Sequence, residues 1–133
     1  MISNSKEISE TKLRKLYKVN EWTNYLNDFP ALLKGIQNSL DCFTYYEGDT
    51  LVGLVRVVGD GVTIVYIQDM LVLPEYHNKG VGTLLLTSVT TKYKDVRQIV
   101  LMTDSLNSQH KFYEKNGFGK ISNWGGVAFN FKR

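Results

Sequence analysis

A chain of 133 residues with 43% hydrophobic and 22% charged residues holds enough apolar material for one globular domain, 1–133, and leaves little room for a second core. No apolar run approaches the roughly 18 residues of a membrane span, and the polar N-terminal stretch MISNSKEISETKLRK lacks a signal peptide's apolar centre. The net charge of +3 is scattered along the chain, which argues against nucleic acid as a partner, and a single cysteine, Cys42, excludes an internal disulfide and suits a cytoplasmic location.

The first periodic segment predicts a helix over about Ser9–Lys18, with Leu13, Leu16 and Tyr17 on one face. Phe29, Leu32, Leu33, Ile36 and Leu40 repeat the spacing, and Pro30 suits a first helical turn. The period then changes to two. CFTYYEGDTLVGLVRVVGDGVTIVYIQDMLVL contains three strand candidates divided by the turn signals EGDT and GDG, an antiparallel meander. A third helix follows LPEYHNKGVG, with Val81, Leu84, Leu85 and Val89 expected on one face. VRQIVLMTD (96–104) reads as a strand parallel to the one before the helix. A fourth helix over about Ser108–Lys115 stops at Asn116-Gly117, and GVAFNF (126–131) is expected to form a last strand. The fold class is therefore α/β, mixed, with helices covering a central mixed sheet.

LPEYHNKGVG carries the chemistry. A helix N-terminus has unpaired N–H groups and a partial positive charge, so it receives phosphate groups. Gly80 and Gly82 remove side chains that would block such an approach, and Lys79 adds a cation. The Walker order is absent, and a dinucleotide fingerprint would need glycine where Leu85 stands.

The run His77, Asn78, Lys79, Gly80, Val81, Gly82 resembles the Arg/Gln-x-x-Gly-x-Gly/Ala coenzyme A motif of the GNAT N-acetyltransferase superfamily, with His77 at the Arg/Gln position. Phe112, Tyr113, Glu114, Lys115, Asn116, Gly117, Phe118 is similar to the superfamily's late Phe/Leu-Tyr-x-x-x-Gly-Phe helix. The resemblance covers roughly residues 43–131. It implies acetyl-CoA as cosubstrate, a splayed pair of strands in the sheet, and direct transfer of the acetyl group to a small-molecule or protein amine. His77, Asn78, Lys79, Gly80, Val81, Gly82 and Thr83 would hold the pyrophosphate. Leu71, Val72 and Leu73, on the splayed strand, would pair with the pantetheine arm, and an N–H at 71–72 would meet the acyl oxygen. Many relatives place an asparagine seven residues before the tyrosine; Leu106 stands there, and the neighbouring Asn107 is the candidate for that contact.

Tyr113 matches the family's general acid, and a phenol with a pKa near 10 can protonate a leaving thiolate. Two carboxylates are candidate bases. If the strand is regular, Asp69 shares a face with Val65, Ile67, Leu71 and Leu73, a lone carboxylate whose pKa burial would raise; a structural hydrogen bond is the plainer reading. Glu75, at the strand's end, would act through water. A water relay or an amine that arrives neutral remains open beside them.

The resemblance also implies that the first two helices and the early strands line the acceptor side, where Trp22, Tyr25, Tyr45, Tyr46 and Arg56 stand, joined by Trp124. Taken singly, most of the aromatics read more simply as core. KLYKVNEWTNYLNDF faintly resembles a small bacterial and plastid subgroup related to arylalkylamine acetyltransferases. Arg56 would bind a substrate carboxylate or pair with Asp60 or another neighbouring acid. His77 and His110 lack partners at metal-ligand spacing, so no metal is expected. Open strand edges would allow a homodimer. A catalytically silent acyl-CoA-binding sensor and a nucleotide binder of another fold are the competing readings.

Overall fold

The stretch Leu51–Val57 (LVGLVRV) is buried at every position, without the alternation of a half-exposed strand. A strand reads this way when both of its faces are covered. It is the centre of a five-stranded sheet in the order β1-β2-β3-β4-β5. The computed structural model describes residues 1–133 as two compact units, Met1–Met102 and Thr103–Arg133.

The first unit contains the whole sheet. Its elements are β1 (Ile2–Asn4), α1 (Glu10–Val19), α2 (Thr23–Asn27), α3 (Phe29–Gln37), β2 (Asp41–Glu47), β3 (Thr50–Gly59), β4 (Ile64–Val72), α4 (Val81–Lys92) and β5 (Gln98–Leu101). The meander β1 to β4 is antiparallel, and β5 pairs with β4 in parallel. Local chemistry sets the helix starts: Ser9 accepts from Lys12 N–H, and Asp28 accepts from Ala31 N–H beside Pro30. β1 and α2 were not expected from the sequence, being too short to show a period.

Helices cover both faces. Leu13, Leu16 and Tyr17 of α1 and Phe29, Leu32 and Ile36 of α3 pack with Cys42, Leu51, Leu54, Leu71 and Leu73. On the opposite face α4 lies so close to β3 that a Cβ at Gly53 would come within 2.8 Å of the Leu85 side chain. A side chain there would have to push the Leu85 tip aside and would crowd Leu71 O at 3.0 Å. The buried residues of α4 include Val81, Leu85, Leu86 and Val89, whereas Leu84, expected among them, is exposed. At about 100° per residue, Leu84 falls outside the arc of the other four.

A register shift in β4 corrects a second expectation. Arg56 opposes Asp69, but Val57 opposes Ile67, so Gln68 is an extra residue on β4. The bulge interrupts the alternation. Directly opposed residues share a face, so Asp69 joins the row of Arg56 and Cys42, under α1 and α3, while Ile67 joins Val57 and Asp41 on the α4 side. Val65, Ile67, Asp69, Leu71 and Leu73 therefore do not form one face.

In the second unit α5 (Asn107–Lys115) ends at Asn116, with Gly117 left-handed at φ +92°. Gly117 N–H donates to Glu114 O and Phe118 N–H to Tyr113 O, the Schellman closure that Asn-Gly suggests. The expected strand at 126–131 does not form: no regular element covers it, and Val127, Phe129 and Phe131 are exposed. Alternation marks a strand only where a neighbour completes the ladder.

Candidate active site

β4 loses its partner on one side partway along its length. Its pairing with β5 runs from Ile64↔Gln98 to Ile67↔Leu101 and stops, while its pairing with β3 continues to Val72. The Leu73 N–H donates to Val52 O on β3. The carbonyl of the same peptide, that of Val72, therefore points away from β3. Leu71 O lies on the β3 side, 3.0 Å from where a Gly53 Cβ would stand, so the Val72 N–H also points to the open side. Among Leu71, Val72 and Leu73, Val72 is thus the residue whose backbone faces the open edge. Its carbonyl accepts from His77 Nε2 at 3.0 Å.

The chain then turns through Pro74–Tyr76 and enters α4. Asn78 and Gly80 are both left-handed, at φ +63° and +83°. No side chain caps α4, and its first internal bond runs from Leu84 N–H to Gly80 O. The N–H groups of Val81, Gly82 and Thr83 are left as donors. A Cβ at Gly80 would meet nothing within 4 Å. Lys79 Nζ lies 5.4 Å from the Tyr76 ring. Of the residues expected to hold a pyrophosphate, Val81, Gly82 and Thr83 form an uncapped helix start, and His77, Asn78, Lys79 and Gly80 are exposed immediately before it. This arrangement fits an anionic diphosphate.

Asp69 is the centre of a buried polar cluster rather than the lone carboxylate expected from spacing. Its Oδ2 accepts from Tyr17 and from Arg56 Nε, each at 2.8 Å, and its Oδ1 accepts from Tyr25 at 2.9 Å. Arg56 also donates through Nη1 to Ser39 Oγ and through Nη2 to Tyr25 Oη, each at 3.3 Å. Arg56 is buried, and the acid it pairs with is Asp69, not a substrate carboxylate and not Asp60. Asp60 instead closes the β3–β4 turn. The Thr63 hydroxyl and the N–H groups of Val62, Ile64 and Thr63 hold its carboxyl well below the usual carboxylate range. Burial by itself would lower the pKa of Arg56, but the adjacent Asp69 outweighs it and raises the value. Burial, then Asp69, pushes Tyr17 far above an ordinary phenol. Sequence reasoning missed Tyr17, Ser39 and Gln68. Tyr17 carried only the signature of a packed helix face, and the bulge that turns Asp69 toward it has no sequence marker.

Tyr25 links this cluster to the surface. Its hydroxyl also accepts from Gln68 Nε2 at 3.2 Å, and its ring stacks with Trp22 at 5.9 Å between centroids and 22° between planes. A shallow concavity of about 290 Å³ is lined by Glu21, Trp22, Thr23, Asn24 and Tyr25. Glu75 is exposed on the turn after β4 and forms no ion pair. Tyr45 and Tyr46 are half-buried.

In the second unit, the Tyr113 ring meets Phe112 and Phe118 edge-on at 5.1 and 6.1 Å. Burial raises its pKa above that of a free phenol. Asn107 is exposed in the first turn of α5, and Trp124 is exposed. No group of three His, Cys, Asp or Glu residues is placed to hold a metal, and no helix is long and apolar enough to cross a membrane.

An uncapped, glycine-bearing helix start thus follows a strand with an open edge. The model of the acetyltransferase (GNAT) domain matches residues 38–120. A GNAT-family acetyltransferase from Streptococcus pneumoniae TIGR4 has a similar structure, with 28% identity, a TM-score of 0.89, and coverage of 100% of this chain and 97% of the other. A probable acetyltransferase of unknown function from meticillin-resistant Staphylococcus aureus follows, with 25% identity, TM-score 0.72, and 99% and 100% coverage. The fold is shared with an aminoglycoside N-acetyltransferase in complex with CoA, at 20% identity, TM-score 0.66, and 100% and 99% coverage. No curated protein matches the sequence. The chain belongs to the GNAT family and is an acyl-CoA-dependent acetyltransferase.

Proposed function

We propose that the protein transfers an acetyl group from acetyl-CoA to a primary amine of a small molecule, by direct attack in a ternary complex in the cytoplasm. The observation that carries this reading is the open edge of β4 at Val72, followed at once by the uncapped start of α4. The α4 N–H groups at 81–83, with Lys79, His77 and Asn78 around them, hold the pyrophosphate. The β4 edge takes the pantetheine arm as an added strand, and the Val72 N–H receives the charge that develops on the acyl oxygen. The fold shared with an enzyme whose acceptors are aminoglycosides favours a small amine over a protein one.

The amine nitrogen forms a bond to the thioester carbonyl carbon as the carbon–sulfur bond breaks. The products are an amide and the CoA thiol. Tyr113 supplies a proton to the departing sulfur, and its raised pKa keeps it protonated until then. As the amine takes the place of the Gln68 amide on the Tyr25 oxygen, its proton passes to that oxygen while Tyr25 passes its own to Asp69 Oδ1, 2.9 Å away. Asp69 thus acts through Tyr25, and Glu75, exposed after β4, is the alternative base, acting through water. A cytoplasmic setting agrees with Cys42, a buried free thiol.

Thiol release from acetyl-CoA, measured with panels of diamines, amino sugars, arylalkylamines, amino acids and lysine peptides, tests the reading. Release stimulated by a small amine is expected. Tight acetyl-CoA binding with no release by any amine would point to an acyl-CoA sensor.

A further inference from the structure

Helix α1 and helix α5 end in the same hydrogen-bonded closure, but with different residues. After α5 the left-handed position is Gly117. After α1 it is Glu21, at φ +63°, with Glu21 N–H donating to Lys18 O at 2.9 Å and Trp22 N–H to Tyr17 O at 3.0 Å. Glycine occupies this position without steric cost, whereas a glutamate there is strained. Backbone strain of this kind persists where a side chain is needed at that point.

Glu21 lines the concavity of about 290 Å³ together with Trp22, Thr23, Asn24 and Tyr25. A lining that combines an exposed glutamate with two stacked aromatic rings, and contains no Lys or Arg, has the recognition chemistry of an organic cation. Tyr25 belongs to the same lining, and its hydroxyl meets Gln68 at the bulge where the open edge of β4 begins. Through Tyr25, the concavity that holds Glu21 is joined to the start of that open edge.

We propose that Glu21, Trp22 and Tyr25 bind a second cationic nitrogen of the acceptor, so that the preferred substrates are diamines and polyamines. This rests on the amine-acetylating reading above. One nitrogen reacts near the Tyr25 hydroxyl while the other, still protonated, sits against Glu21 and the Trp22 ring.

The test compares linear monoamines with α,ω-diamines of matched length, by thiol release from acetyl-CoA and by calorimetric titration of the CoA-loaded protein. The diamine is expected to have the higher kcat/KM, through a lower KM. Glu21→Gln keeps the strained backbone and removes the charge; it should lower the diamine-to-monoamine kcat/KM ratio about tenfold and weaken diamine binding by a similar factor. Glu21→Gly should weaken the diamine equally while raising Tm by about 3 °C, because the strain is relieved. Equal diamine binding by wild type and Glu21→Gln would overturn the inference, as would equal kcat/KM for both amine classes. Amine-independent thiol chemistry would instead overturn the reading it rests on, and calorimetry still decides the cation site in that case.

Discussion

Arg56 Nε and Asp69 Oδ2 lie 2.8 Å apart on neighbouring strands, immediately beyond the extra residue that turns Asp69 under α1 and α3. Both are buried, so each charge depends on the other. Removing one partner of such a pair leaves an uncompensated charge and costs about 3–5 kcal/mol. Arg56→Met is therefore expected to lower the urea midpoint sharply, and Arg56→Met/Asp69→Leu to recover much of the loss. An unchanged midpoint for the single variant would show that the pair contributes little. Gly35 is part of the same arrangement: a Cβ there would lie 3.2 Å from Arg56 Nη1, so in Gly35→Ala crowding of the guanidinium opposes the roughly 1 kcal/mol that alanine gains over glycine inside a helix.

Asp69→Asn separates the structural and chemical roles of this carboxylate. It keeps the shape but removes the acceptor charge for Tyr25, Tyr17 and Arg56. The variant is expected to lose stability and also to change the acidic limb of the kcat/KM–pH profile, measured where it is still folded. A lowered plateau with an unmoved limb would assign Asp69 to scaffolding only.

Cys42 sits in the row next to Arg56, and burial above all pushes its thiol pKa up to about 12. A folded-state pKa above the unfolded one favours the folded state at low pH. Its contribution is fully present below the ordinary thiol value of 9.0 and declines as pH rises from there toward about 12. Cys42→Ala should therefore flatten the fall in stability across that window. At pH 8 the native thiol should react with iodoacetamide roughly 10³-fold more slowly than the urea-unfolded chain, since the thiolate is the nucleophile. Comparable rates would mean the site opens readily.

The antiparallel meander and the α4 start were legible in the sequence because each rests on local chemistry: period two between EGDT and GDG, and a glycine where φ must be positive. Gly80 and Gly117 are both left-handed, as their motifs suggest. The environment of Asp69 was not legible, because one inserted residue, Gln68, reverses which face the rest of β4 presents. Glu21 was equally hidden: a glutamate after a helix reads as a solvated charge, and only its φ marks it as unusual. The alternation in GVAFNF misled, since Val127, Phe129 and Phe131 have the pattern of a strand but no ladder.

Tyr113 is tested by removing one atom. Tyr113→Phe keeps the ring that meets Phe112 and Phe118, so folding should be unaffected. Loss of a general acid typically costs about 10² in turnover. The expected result is a fall of that size in kcat with the acetyl-CoA Kd retained, read by stopped thiol release and calorimetry. A variant with wild-type kcat would leave protonation of the sulfur to water.

Gly80 tests the α4 start with a pair of variants that share one backbone cost. At φ +83° any other residue is strained by about 1–2 kcal/mol, yet a Cβ there meets nothing within 4 Å. Gly80→Ala should therefore lower Tm slightly and weaken CoA modestly. Gly80→Glu carries the same strain but sets a carboxylate beside the N–H groups of residues 81–83. Like charges about 4 Å apart at a protein surface repel by up to about 4 kcal/mol, which predicts a CoA affinity weaker by up to roughly 10³-fold. The comparison of the two isolates charge from strain. Equal CoA affinity for Gly80→Ala and Gly80→Glu, with both folded, would place the pyrophosphate somewhere other than the start of α4.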